Sequence, residues 1–146
     1  MRKRIIQEAK TWMNTPFHLH GRLKNVGCDC VGLVLGVAQI LNLRSKQNHV
    51  LPHFDTLDYH PRESNKLLEQ MLKLHLVEKT NLQIADVVML KYDSIPGHIG
   101  IVSQNQEGLL SIVHANMRFK KVVEHTLDES LRSKIVGIFS FIECEE

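Results

Sequence analysis

From Cys30 to about Leu43 nearly every residue is apolar or small. A helix that is apolar all round has to be covered on most sides, so this segment predicts a central helix on which the rest of a small domain packs. Its entrance is unusual. Cys28-Asp29-Cys30 follows a Gly-containing loop and leads straight into the helix. A cysteine there sits among N–H groups that the first helical turn leaves unused, at the positive end of the helix dipole, and both favour the thiolate. Cys30 is therefore the expected nucleophile near neutral pH, with Asp29 as loop-orienting residue or helix cap.

A chain of 146 residues that is 43% apolar suits one domain, residues 1–146, with a core that needs no disulfides. Cys28, Cys30 and Cys144 are odd in number and the first two are only two apart, so reduced thiols are expected. Ile5, Ile6, Ala9, Trp12 and Met13 recur at helical spacing before Pro16, which predicts a first helix from Arg2 to Asn14, then a loop from Thr15 to Gly27. Arg44 to Arg62, with Pro52 and Pro61, reads as a long connection. Ser64 caps an expected third helix to about Leu76, with Leu67, Leu68, Met71 and Leu72 on its buried face. After Asn81 the texture becomes β-rich: Val87–Leu90, Ile99–Val102, Leu110–Val113 and Ile135–Ile142 are strand candidates, with Lys121-Val122-Val123 as a further one and Leu127–Ser133 as a short helical turn. Helices first and strands afterwards imply an α+β domain, helices packed on an antiparallel sheet of five to six strands.

The net charge of +2, with acids and bases interspersed, leaves no broad basic face, which argues against nucleic acid or an anionic membrane as main partner. The basic start Met1-Arg2-Lys3-Arg4 is followed by Ile5-Ile6-Gln7-Glu8-Ala9-Lys10, whose charges break any signal-peptide core. No apolar run approaches the roughly 18 residues of a membrane span. Synthesis in the cytoplasm without a signal peptide is the expectation.

Nine histidines direct attention to proton transfer or metal binding. A cysteine hydrolase needs an imidazole beside the sulfur and a third group to hold that imidazole's tautomer. His98, just after Pro96-Gly97, opens one strand candidate, and His114 lies near the end of the next. Paired as an antiparallel hairpin, these strands bring both residues to one edge of the sheet, where a docked helix start would deliver Cys30 to His98. His49, His53, His60, His75 and His125 have no partners at telling spacings and are assigned to surface or loop.

These residues resemble the NlpC/P60 cysteine peptidases. Asp29-Cys30-Val31-Gly32-Leu33-Val34 is similar to that family's Asp-Cys-Ser-Gly-Leu-Val, Ala85-Asp86-Val87-Val88 to its Gly-Asp-Leu-Val, His98-Ile99-Gly100-Ile101-Val102 to its His-Val-Gly-Ile-Tyr, and Val113-His114-Ala115 to its Val-His-Ala. Thr15-Pro16-Phe17-His18-Leu19-His20-Gly21 with Gly27-Cys28-Asp29-Cys30 resembles the branch found in phage tails and gene transfer agents. The resemblance implies a papain-like fold with Cys30 as nucleophile, His98 as base and His114 as orienting residue. It implies no cofactor and no metal, the peptide stem of peptidoglycan as substrate, cut at the γ-D-glutamyl-to-diamino-acid bond, phage tail proteins as companions, and a place on a virion tail or delivery to the cell wall. The family often has a tyrosine where this chain has Phe17, so the contact its hydroxyl makes at the active site is lost or passes to His18 or His20.

Two rival readings come from the same residues. His18-Leu19-His20 with Cys28-Asp29-Cys30 offers two imidazoles and two thiols suited to zinc, although the spacing differs from that of paired cysteine ligands and would occupy the thiol that the helix activates. An inactive structural or peptidoglycan-binding component is the other, supported by Phe17 and opposed by the retention of Cys30, His98 and His114 together.

Overall fold

The computed structural model describes residues 1–51, 66–92 and 95–145. Helix α1 (Arg2–Lys10) ends one turn before the expected Asn14, because Thr11 turns back to the Glu8 carbonyl and Asn14 takes a φ of 70°. The loop that follows holds two short strands, β1 (Arg22–Leu23) and β2 (Gly27–Cys28), paired antiparallel. Helix α2 (Cys30–Ile40) is the central helix, buried without interruption from Val31 to Ala38. The expected cap of the third helix, Ser64, lies outside the described residues, as do most of the connection before it and His53 and His60; the helix itself, α3, runs Lys66–His75 with Leu68 and Leu72 fully buried.

Every strand candidate forms: β4 (Val87–Tyr92), β5 (Ile95–Gln104), β6 (Leu110–Asn116), β7 (Lys121–Thr126) and β8 (Ile135–Ser140), with a short helix α4 (Glu129–Arg132) before the last. One further strand, β3 (Val77–Lys79), pairs with β8. Its Glu78-Lys79 carries no apolar alternation to signal a strand; backbone pairing makes it. All six strands form one antiparallel sheet in the order β3-β8-β4-β5-β6-β7.

Alternation along the strands sorts side chains between the two faces of this sheet. Val87, Met89, Ile99, Ile101, Val113 and Ala115 join α1 and α2 in the larger core, which contains Trp12, Leu33, Leu35 and Phe139. Val88, Leu90, Val102 and Ile112 form a smaller cluster with Leu127 on the other face. The first helix is tied to the sheet at Asp86, a buried carboxylate held by Arg2 at 2.9 Å and by Lys79 at 3.0 Å. No helix is long and apolar enough to cross a membrane among the described residues.

Candidate active site

The entrance to α2 is built by its cap. Asp29 has extended backbone at the N-cap, its Oδ1 accepts the Gly32 N–H at 2.7 Å, and its Oδ2 accepts the His20 N–H at 2.7 Å. Both carboxylate oxygens are thus held by backbone donors, one from the helix and one from the loop before it, and the residue is buried. Gly32 allows the loop to close down: a Cβ there would stand 1.8 Å from the Gly21 carbonyl oxygen. This locks the loop on the first helical turn and fixes where Cys30 sits.

The sulfur sits where the sheet opens. The β5–β6 ladder runs from Gln104↔Leu110 to Ile101↔Val113 and goes no further, although β6 continues to pair with β7 out to Asn116↔Lys121. Beyond Ile101 the two strands part, and the backbone N–H of Ile99 addresses the Cys30 sulfur instead. The half-buried thiol therefore meets β5 at the residue next to His98.

His98 and His114 face each other across the parting. His98 Nε2 and His114 Nδ1 are 2.6 Å apart, with the rings edge to face at 4.9 Å between centroids. Gly100 makes room for this approach, since a Cβ on it would lie 2.6 Å from Ile112 Cδ1 and 3.0 Å from His114 Cβ. His98 is not the first residue of its strand, as expected, but the fourth; the strand begins earlier at Ile95.

A third imidazole continues the line. His114 Nε2 lies 3.0 Å from His125 Nδ1, and Phe119 packs edge to face on His125 at 5.1 Å. His125 is not a surface or loop residue; it is half-buried in β7. Cross-strand register explains the placement. His125 stands opposite Ile112 and His114 opposite Val123, so His114 and His125 are diagonal neighbours on one face. The strand run after Lys121 was legible, but the register across the Met117–Lys120 turn was not, and register decides which residues of β7 meet His114.

Burial sets the charge states. The Cys30 thiol is pushed up to about 12 by desolvation and by the Asp29 carboxylate, against which the N–H groups of Ile99, Val31 and Cys30 pull it back only in part. The expectation of a thiolate favoured by the helix start is thus corrected: at this half-buried position next to a carboxylate, desolvation outweighs the helix terminus. The same burial lowers His98 to about 4 and His114 to about 2, with the neighbouring imidazoles adding to the effect at His114. Thiol and imidazoles are accordingly neutral together at ordinary pH.

The remaining candidates surround this centre. Phe17 is half-buried against the main core and its N–H donates to the Lys120 carbonyl at 2.8 Å, which ties the loop to the β6–β7 turn. His18 is exposed, with Nδ1 3.0 Å from the Leu19 carbonyl oxygen, and His20 is exposed in a left-handed conformation at φ 64°. Cys28 is fully buried in the core, and desolvation pushes its thiol up to about 12. No three His, Cys, Asp or Glu side chains converge on a common metal position among the described residues.

No protein-family profile matches the sequence, and no curated protein does. Solved structures do match in fold. The chain is similar to an NlpC/P60 family protein from Bacillus cereus, with a TM-score of 0.65 at 14% identity, covering 97% of this chain and 40% of that one. It is similar to the NlpC/p60 domain of the peptidoglycan hydrolase SagA, TM-score 0.59 at 13% identity, over 97% of this chain and 99% of that domain. It is also similar to an N-acetylmuramoyl-L-alanine amidase from Bacteroides uniformis, TM-score 0.54 at 15% identity, over 94% and 96%. The chain thus spans about two fifths of the Bacillus protein and nearly the whole of the other two. With four helices and a six-stranded antiparallel sheet beside a two-stranded one among the described residues, it has the α+β fold of the NlpC/P60 proteins.

Proposed function

We propose that the protein is a cysteine hydrolase of amide bonds in the peptide stem of peptidoglycan, cutting between γ-D-glutamate and the diamino acid. The observation that carries this reading is a helix-start thiol that receives the backbone N–H of Ile99, the residue next to His98, whose ring is hydrogen-bonded to His114 where β5 and β6 part. The fold likeness to a peptidoglycan hydrolase domain and to an amidase supports the substrate class. Association with a phage tail or a related delivery particle is part of the same proposal and rests on the likeness of the Thr15–Cys30 segment to tail-associated members of the family.

In the reaction, His98 Nε2 is engaged with His114, so Nδ1 is the nitrogen that takes the proton from Cys30. The sulfur attacks the amide carbonyl and the carbonyl oxygen becomes an oxyanion, for which the N–H of Cys30 at the helix start is the nearest kind of donor. His98 then protonates the departing amine as the C–N bond breaks, leaving a thioester. Water attacks the thioester with His98 again accepting a proton, the carboxylate leaves, and the thiol is restored. The Phe17 side chain has no hydroxyl to offer the oxyanion, so this site works with one donor fewer than family members that carry tyrosine there.

Mass spectrometry of purified muropeptides incubated with the protein tests activity and bond together. The expected product pair is a stem cut after γ-D-glutamate, absent with Cys30→Ala and strongly reduced with His98→Ala. Cleavage next to muramic acid instead would replace the endopeptidase assignment with an amidase one. Cleavage surviving in Cys30→Ala would remove the nucleophile, and binding without cleavage by the unaltered protein would leave a binding component in place of the enzyme.

A further inference from the structure

The three imidazoles cross three neighbouring strands in one line. His98 on β5 meets His114 on β6 at 2.6 Å, and His114 meets His125 on β7 at 3.0 Å, each contact running from an Nε2 to the next residue's Nδ1. A neutral imidazole carries one ring proton, so a chain of neutral imidazoles has a polarity: the protons point either outward, from His98 to His125, or inward. Both arrangements satisfy the same two hydrogen bonds. Only one suits a base.

With outward polarity, His98 donates from Nε2 to His114 Nδ1, His114 donates from Nε2 to His125 Nδ1, and His98 Nδ1 carries no proton, the form a base needs. With inward polarity, His125 donates to His114, His114 donates to His98 Nε2, and the proton of His98 sits on Nδ1, which blocks it as a base. We propose that His125 is a positioning residue that fixes this polarity: as the acceptor for His114 Nε2–H it keeps the His98 proton on Nε2 and leaves Nδ1 unprotonated. The inference rests on the hydrolase reading for its catalytic meaning, but the polarity itself belongs to the histidines alone.

Three features hold the arrangement. His114 is fully buried, so leaving its Nε2 without a partner would carry the penalty of an unsatisfied buried group. The β6–β7 register fixes His125 diagonally from it, with His125 opposite Ile112 and His114 opposite Val123. Phe119 packs on the outer ring edge to face and limits its rotation.

The test uses the full chain in two arms. In protein labelled with 15N in histidine, long-range proton–nitrogen correlations near pH 7.5 report which ring nitrogen bears the proton. His98 and His114 are both expected as the Nε2–H form, and an Nδ1–H form at either overturns the proposal. The second arm compares His125→Asn, His125→Phe and His125→Lys by stem-peptide cleavage and by iodoacetamide alkylation of Cys30. Asparagine places an acceptor oxygen near the position of Nδ1, phenylalanine has none, and lysine only donates. The phenylalanine variant is expected to lose about 10- to 100-fold in kcat/KM with KM little changed, a loss of the size that removing the outer hydrogen-bond partner of a metal-bound histidine causes. Lysine should lose more, and asparagine should recover most of the loss. Equal rates for the asparagine and phenylalanine variants, or unaltered His98 tautomers in the phenylalanine variant, overturn the proposal. Should the unaltered protein cleave no muropeptide, the hydrolase reading fails while the tautomer and alkylation readouts still decide the polarity.

Discussion

Replacing Asp29 separates two jobs that one carboxylate performs. Its Oδ1 caps α2 through Gly32 N–H, its Oδ2 holds the loop through His20 N–H, both at 2.7 Å, and its charge raises the neighbouring thiol. Asp29→Asn keeps one acceptor oxygen and loses the other along with the charge; Asp29→Ala loses all three. Loss of the cap costs about 1 kcal/mol, and loss of the part-buried hydrogen bond from the His20 N–H to a charged acceptor costs about 1.5–3 kcal/mol. The alanine variant should therefore lose about 3 kcal/mol and the asparagine variant about half of that. For a chain of 146 residues this is about 6–12 °C in Tm for alanine. The chemistry moves the other way. Asp29 pushes the Cys30 thiol up, so removing its charge lowers the thiol pKa and speeds alkylation at a fixed pH. The assay is iodoacetamide modification of Cys30 across pH 7 to 10, located by mass spectrometry, beside urea denaturation of the same samples. A less stable protein with a more reactive thiol is the expected pair. A variant as stable as the parent, or one whose thiol reacts more slowly, would refute the two-job account.

Other perturbations bear on the same site. Gly100→Ala puts a methyl group against Ile112 and His114 and should cost about 1–3 kcal/mol by overpacking; denaturation together with the His98–His114 tautomer signature checks it, and unchanged values of both would count against the close packing. Phe17→Tyr restores a hydroxyl at the position where the family often carries one, and one oxyanion donor is worth about 10²–10³ in kcat elsewhere; a gain of about tenfold in muropeptide cleavage is expected, and no gain would show that the hydroxyl does not reach the reacting carbonyl. Stability should depend on pH at both ends. His98 and His114 have folded values of about 4 and about 2 against 6.5 when free, so the unfolded chain takes up protons first and stability is lost as pH falls below 6.5. Cys28 and Cys30 sit at about 12 against 9.0 when free, so stability is lost again as pH rises above 9. Denaturation midpoints from pH 4 to 11 should trace a plateau between these limits; a midpoint constant down to pH 4 would contradict the buried neutral imidazoles.

The sequence made some levels of this structure legible and hid others for identifiable reasons. The central helix was readable because its apolar residues leave no exposed stripe, and every strand candidate after Asn81 was readable because β-branched residues cluster between turn residues. Helix α1 was read one turn too long, since Trp12 and Met13 continue the apolar spacing while the backbone has already turned at Thr11. Strand β3 was missed because pairing with β8 makes it, not its own pattern. At the candidate site, local sequence was enough to put Cys30 at the start of α2 and His98 and His114 in successive strands, but not to give the state of the thiol. Helix position is a local property, whereas desolvation comes from everything packed on the sulfur, and the second prevails. His125 was hidden for a related reason: its partner is chosen by the register of β6 on β7, and that register is fixed only when the turn between them closes.

The opposite shifts at Cys30 and His98 have a single consequence for how such a site can work. In the proposed reaction, burial raises the acid and lowers the base, so neither carries charge before substrate arrives and the proton moves as the sulfur meets the carbonyl. The imidazolium formed at that moment is stabilised by whatever lies on its far nitrogen. A carboxylate there would hold a permanent charge in a buried place at considerable cost. A neutral imidazole supplies an acceptor lone pair without that cost, provided its own proton is directed away, and this requires a second acceptor behind it. His114 supplies the lone pair and His125 stands where the second acceptor has to be. In the proposed outward polarity, a two-histidine version would leave the buried Nε2–H of His114 without an acceptor, and His125 supplies that acceptor.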